Sequence, residues 1–129
     1  MAVWFDTVVL DSGLNIINST ADRYVLLKAY AAADSYATVV SNIVAAVNIT
    51  GADLVLGNQG TNGRQITAAS KPATVTVATT NGVDNLHLAW LDDGGSKVLA
   101  VTNETTDRTL VIGDTITLPQ ILLKMNQPT

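Results

Sequence analysis

Between Leu86 and Met125 apolar and polar residues alternate through LHLAWL, KVLAV, TLVI and TITLPQILLKM, and the loops between them are built from Asp, Gly, Asn and Thr. A side-chain period of two belongs to strands with one face on a core, so this third of the chain reads as a β-meander. Asp92-Asp93-Gly94-Gly95 turns one hairpin, and Asn81-Gly82 is a favourable hairpin turn just upstream. In the last strand Ile116 and Leu118 share one parity while Ile121, Leu123 and Met125 share the other. The inward face must therefore switch near Pro119-Gln120, by a β-bulge or by a crossing between sheets.

The remainder supplies more strands and one helix. Val3 to Leu10 reads as a strand, followed by a short helical turn at Leu14 to Asn18 after the Asp11-Ser12-Gly13 break. Arg23 to Tyr30 is apolar at both parities apart from Lys28, as in a strand covered on both faces. In DSYATVVSNIVAAV the residues Tyr36, Val39, Val40, Ile43, Val44 and Val47 recur at helical spacing, with Asp34 placed to cap, which predicts a helix over Ser35 to Ala46. Its β-branched content lowers helix propensity and leaves a pair of strands as the alternative. Ala52 to Leu56, Gln65 to Ala69 and Thr74 to Thr79 read as strands, the last with Val75 and Val77 inward. Gly57 to Gly63 reads as a loop, and Pro72 marks an edge or a bulge. The expected architecture is mainly β: residues 1–129 as a single domain of seven or eight strands with one short helix, closed as an antiparallel β-sandwich or a flattened, jelly-roll-like barrel.

At 129 residues, 47% of them hydrophobic and 14% charged, the chain can bury a working core of its own. A formal charge of −4 lacks the basic footprint of a nucleic-acid binder, so no direct nucleic-acid partner is expected. Without cysteine there is no disulfide framework, thiol nucleophile or thiolate metal site. The opening MAVWFDTVVLDSG lacks a basic region followed by a long apolar run, and no apolar run approaches the roughly 18 residues of a membrane span, so no membrane partner is expected. Few charges combined with a mean hydropathy of +0.29 favour a buried intersubunit face, with a dimer or trimer as the expected form.

Residues that carry chemistry are sparse. His87, the one histidine, sits between Leu86 and Leu88 with no inferable nucleophile or orienting carboxylate, so it reads as an ordinary strand residue. Asp84, Asp92 and Asp93 offer hard oxygen ligands, but their spacing matches no calcium loop and a glycine-bearing hairpin explains the same residues. The glycines from Gly57 to Gly63 include no GK[ST] and open no clear helix, which argues against a phosphate cradle. Asn18, Asn48 and Asn103 each begin an N-x-Thr triplet, which Thr- and Asn-rich β chains generate by chance. No catalytic, metal or cofactor site is expected. The candidate interface residues are Trp4 and Phe5, because adjacent aromatics near a terminus either complete the core or dock on a neighbouring chain.

Three stretches, AVWFDTVVLDSGLNII, DSYATVV and LHLAWLDDGGSKVLAVTNETTDRTLVIGDTITLPQILLKMNQP, make the chain similar to small virion proteins encoded in the structural gene blocks of tailed bacteriophages. The closing part resembles their ending of a hairpin, then V-T-x-E-T-x-D, then G-D-T-I-T-x-P. The resemblance covers most of the chain but consists of strand and turn residues, and it transfers no active-site residue. It implies a β-rich, non-enzymatic part of the particle, a head decoration or cement protein that bridges the major capsid protein, with tail or connector placement as the alternative. A small glycan-binding β-sandwich on the virion surface and a hydrolase are the competing classes.

Overall fold

The computed structural model describes residues 7–60, 63–103 and 107–126. Two antiparallel sheets face each other. The larger takes its central strand from the most apolar segment, β1 (Arg23–Leu27), which pairs on one side with β2 (Ile43–Asn48) and on the other with β6 (His87–Asp92). The order β7-β6-β1-β2-β5-β8 is completed by β5 (Lys71–Val75), β7 (Lys97–Asn103) and β8 (Thr115–Leu118). The smaller sheet has the order β3-β4-β9, from β3 (Leu54–Gln59), β4 (Gly63–Ala68) and β9 (Ile121–Asn126). This is the expected antiparallel sandwich, with nine strands among the described residues rather than seven or eight. The sheets are open at their edges, so the barrel alternative is not adopted.

The core follows from strand parity. Tyr24 and Leu26 of β1, Leu88 and Trp90 of β6, Val75 of β5 and Leu118 of β8 point inward and meet Leu54, Ile66 and Ala68 of the small sheet. The Trp90 ring stacks on Tyr24 with centroids 4.7 Å apart, and the Tyr24 hydroxyl donates to Pro119 O at 2.8 Å. The opposite parity, Val25, Leu27, Ala89 and Leu91, faces outward and is equally buried, because residues Tyr30, Tyr36, Val39 and Val40 cover it. β1 is thus covered on both faces, as its sequence predicts, although it ends at Leu27. Val44 is the extra residue of a β-bulge, since Leu26 pairs with Ala45 and Leu27 with Ile43.

Several expectations are corrected. The strand expected at Val3 to Leu10, of which residues 3–6 lie outside the described residues, is helix from Thr7, and with the single turn at Leu14 to Asn18 it becomes one helix, α1 (Thr7–Thr20), in which Leu14, Ile17 and the following Ala21 fall at helical spacing against the core. Gly13 does not break it. Its bare Cα faces the Met125 side chain, where an added Cβ would sit 3.2 Å from Cε. The helix ends where the Ser19 and Thr20 hydroxyls donate back to the Asn15 and Ile16 carbonyls, an interaction that competes with helix continuation.

The helix expected over Ser35 to Ala46 is only α2 (Tyr36–Ser41), and Ile43 onward is strand β2. Its cap is Ser35, whose Oγ accepts from Thr38 N at 3.2 Å, while Asp34 accepts instead from Ala31 N. The β-branched Ile43 and Val44 gain more from a central strand position than from a helix turn. Thr74 to Thr79 is shortened to β5, so Val77 is exposed rather than inward. Pro72 meets Thr117 of β8 on one side, while the β2 pairing covers only Thr74 and Val75. The missing N–H therefore falls where that flank is unpaired.

The meander is also partial. β6 and β7 form the hairpin turned by Asp93 to Ser96, but β8 crosses to the far edge beside β5, and β9 joins the other sheet. The switch at Pro119-Gln120 is a crossing between sheets, one of the two forms the parity change allowed. Asn81-Gly82 is a turn inside the β5–β6 connection, not a hairpin between paired strands. Gly57 to Gly63 is mostly strand, lying in the β3–β4 pair, where Gln59 opposes Gly63.

Candidate functional site

The sequence candidates are not brought together. Trp4 and Phe5 lie outside the described residues. His87 is half-buried at the start of β6, with its ring 5.9 Å from that of Tyr30 and Nδ1 3.0 Å from Asn85 O, so local packing accounts for its placement. Asp84 accepts from Thr80 N at 2.9 Å and closes a turn, and Asp92 accepts from Gly95 N at 3.0 Å. Among the described residues no three His, Asp or Glu side chains gather to hold a metal ion. Asn18 donates to the Gly51 and Leu54 carbonyls, tying α1 to the start of β3.

One polar cluster was missed in the sequence. Asp93 receives Tyr36 Oη at 2.6 Å and Arg23 Nη2 at 3.1 Å, and Arg23 Nε lies 3.0 Å from its other oxygen. The Nε approach is poorly aligned for a hydrogen bond, so its attraction is mainly electrostatic. Hydrogen bonding to Asp93, together with partial desolvation and the carboxylate charge, pushes the Tyr36 phenol above its ordinary value, with Arg23 opposing. Asp93 is 70 residues from Arg23 and 57 from Tyr36, so no local spacing signals the cluster.

The cluster sits at the rim of a shallow groove of about 550 Å³ on the outward face of the six-stranded sheet. The 30–42 segment covers β1, β6 and β7 on that face and stops over β2. Beyond it Ile43 and Ala46 form an apolar floor, and Thr74, Thr76 and Thr115 present hydroxyls. The Thr76 hydroxyl donates to Val44 O, while Thr74 and Thr115 are exposed and paired across β5 and β8.

Two further apolar surfaces lie elsewhere. On the outward face of the small sheet Val55 and Leu122 are 60% and 45% exposed, and both pair with Thr67 between them. Near the end of the β5–β8 ribbon away from Pro119, Val111 and Ile112 are 59% and 66% exposed, with Val77 in sequence register with Ile112, and Val83, in the β5–β6 connection, is 76% exposed. The ribbon tip is held by Gly113, whose φ of 97° suits a turn in which Asp114 N donates to Val111 O. These aliphatic tips belong to turns closed by hydrogen bonds, so their exposure is fixed by the backbone.

No protein-family model, curated protein or solved structure matches the chain. No helix of the described residues is long and apolar enough to cross a membrane.

Proposed function

We propose that this chain is a non-enzymatic structural protein of a bacteriophage particle, a decoration or cement protein that bridges major capsid subunits and self-associates as it does so. The observation that carries the assembly reading is the pair of separate apolar surfaces, Val55 with Leu122 on the small sheet and Val111 with Ile112 at the ribbon tip. Branched aliphatic side chains held outward by ordered backbone cost solubility unless another surface covers them. Two such surfaces on different parts of one small domain suit a bridge between neighbouring subunits. The phage setting rests on the sequence resemblance alone.

In a shell, modest contacts repeated in many copies add to cohesion, because a ligand that binds the assembled state stabilises it by mass action. The bridging protein needs contact area and a rigid frame, and the doubly covered β1 supplies the frame. The groove beside Arg23 and Asp93 favours a second reading, a glycan-binding module, since charged and hydroxyl side chains beside an apolar floor suit a sugar. The test is a mass-spectrometric inventory of purified particles combined with thermal dissociation of heads made with and without the protein. The proposal expects the chain in near-stoichiometric proportion to the major capsid protein and a lower dissociation temperature without it. Its absence from particles overturns the capsid role.

A further inference from the structure

We infer that Asn81 is a site of spontaneous covalent modification, at which the side-chain amide closes on the backbone nitrogen of Gly82 and hydrolyses to aspartate and isoaspartate. This goes beyond the assembly role and does not depend on it. The Gly82 nitrogen loses its proton to hydroxide and attacks Cγ of Asn81. The new C–N bond closes a five-membered succinimide as the bond to the side-chain amide nitrogen breaks, and that nitrogen leaves as ammonia. Water then opens the ring at either carbonyl, giving a side-chain carboxyl or a main chain routed through the β-carbon. The sum is amide plus water to acid plus ammonia, with no oxidant or cofactor, and it adds one negative charge to the formal −4 of the chain. Asparagine is thermolabile through this chemistry, and a following glycine favours it because no Cβ shields the attacking nitrogen.

The fold separates this pair from every comparable one. Asn81 and Gly82 are both exposed, in the turn before Val83. Among the described residues neither the Asn81 side-chain amide nor the Gly82 N–H has a hydrogen-bond partner. Gly82 has a φ of 85° and nothing within 4 Å of an added Cβ, so the reacting atoms are uncrowded. Ring closure requires rotation about the Asn81 Cα–C bond, which the turn resists through Val83 N and Asp84 N on Thr80 O, at 3.1 and 3.0 Å, and Asn81 N on Thr109 Oγ1 at 3.0 Å. Exposed turns of this kind open locally at little cost. Asp93-Gly94 could form the same imide by losing water, but it is restrained: the Asp93 carboxylate receives Tyr36 Oη at 2.6 Å and Arg23 Nη2 at 3.1 Å, and Asp93 N donates to Asp22 Oδ1 at 2.9 Å. In the other Asn-Gly pair, Gly63 is enclosed in β4 between Gln59 and Asn126, while Asn62 lies outside the described residues. The Asn18 and Asn58 side chains are bonded to carbonyls and to Arg64, and Asn15, Asn42, Asn48 and Asn85 each precede Ile or Leu.

The test follows the full chain during storage at physiological temperature and mildly alkaline pH. Peptide mapping by mass spectrometry reads the amide-to-acid mass change at each asparagine, and an isoaspartyl methyltransferase reads the lengthened main chain. Asn81 should convert first, to both products, at a rate that rises with hydroxide concentration. That rate should lie within about tenfold of the rate in an unstructured peptide spanning Thr79 to Asp84, as expected when the turn opens at little cost. Asn81→Gln keeps an amide but needs a larger ring to close, so it should keep the wild-type circular dichroism and lose the acidic species that the wild type develops on ion exchange. A slower wild-type rate than that tenfold limit overturns the inference, because the native turn then protects the amide. Conversion at Asn62 or imide formation at Asp93 ahead of Asn81 overturns the selection by the fold. Persistence of the same acidic species in Asn81→Gln places the new charge at another residue and also overturns it.

Discussion

The two sheets are built from similar residues and are used differently. In the six-stranded sheet, β1 buries Tyr24 and Leu26 on one face and Val25 and Leu27 on the other, so every position after Arg23 contributes to the core. In the three-stranded sheet only one face is covered: Leu54, Ile66 and Ala68 pack inward while Val55 and Leu122 stay in solvent. The same aliphatic residue type is structural in the first sheet and available for contact in the second. Coverage, not composition, separates a core strand from one with an exposed face.

The largest effect should come from the stacked pair at the centre of the large sheet. Trp90→Ala removes the partner of Tyr24 from a fully buried site, and its expected cost of about 3–5 kcal/mol consumes much of a typical domain stability. Urea unfolding measures it. The matching truncation on the exposed face, Leu122→Ala, should cost less than about 1 kcal/mol. Equal costs would break the contrast between the sheets.

A second test is steric. A Cβ added to Gly63 would lie 2.2 Å from Met125 O on the adjacent strand, so Gly63→Ala should push β9 from β4 at that end. Overpacking of this kind costs about 1–3 kcal/mol. Hydrogen exchange should speed up in β9 while β1 and β6 keep their protection. Loss of protection across both sheets would show that they unfold as one unit.

Two smaller effects probe the polar links by pH. Asp53 bonds Lys71 Nζ at 2.7 Å and accepts from Thr50 N at 3.0 Å, and these contacts hold its carboxyl below the ordinary value of 3.8. Its contribution is fully present above that value and is lost as pH falls through the lower folded one. Asp53→Asn should therefore flatten the acid limb of the stability profile, by less than about 1 kcal/mol for a partly exposed pair. Tyr36 behaves oppositely: its phenol is raised above 10.0, so its contribution is complete below that pH and lost as pH rises through the raised value. An absorbance titration should show a late tyrosinate step that disappears in Tyr36→Phe. A step at the ordinary pH would mean that Asp93 does not hold the hydroxyl.

Much of the large sheet was legible because its signals are local. The two-sided apolarity of Arg23 to Tyr30, realised as far as Leu27, the hairpin read at Asp92 to Gly95 and the parity change at Pro119-Gln120 each depend on a few adjacent residues. The failures are those in which distant partners decide. Ile43 and Val44 carry a helical spacing that the bulged pairing with β1 overrides, and Gly13 is kept in a helix by contact with a strand more than a hundred residues later. The Arg23, Tyr36 and Asp93 cluster was illegible for the same reason. The separation of β8 from β7 cannot be inferred from turns, since both an adjacent and a remote edge accept an alternating strand.

The strand order also sets a timetable. β1 is made early, but its partner β6 follows after Leu86, and β4 waits for β9, the last strand described. On the ribosome, the first half of the chain has its most apolar strand and only one of the two neighbours that strand requires. Such non-local pairing places folding in the slow range, roughly milliseconds to seconds. A nascent chain stopped before Ile121 would present the inward edge of β4 unpaired, open to other strands. Synthesis of β9 is thus the event that closes the small sheet, and chains that stop short of it should aggregate through the open edge of β4.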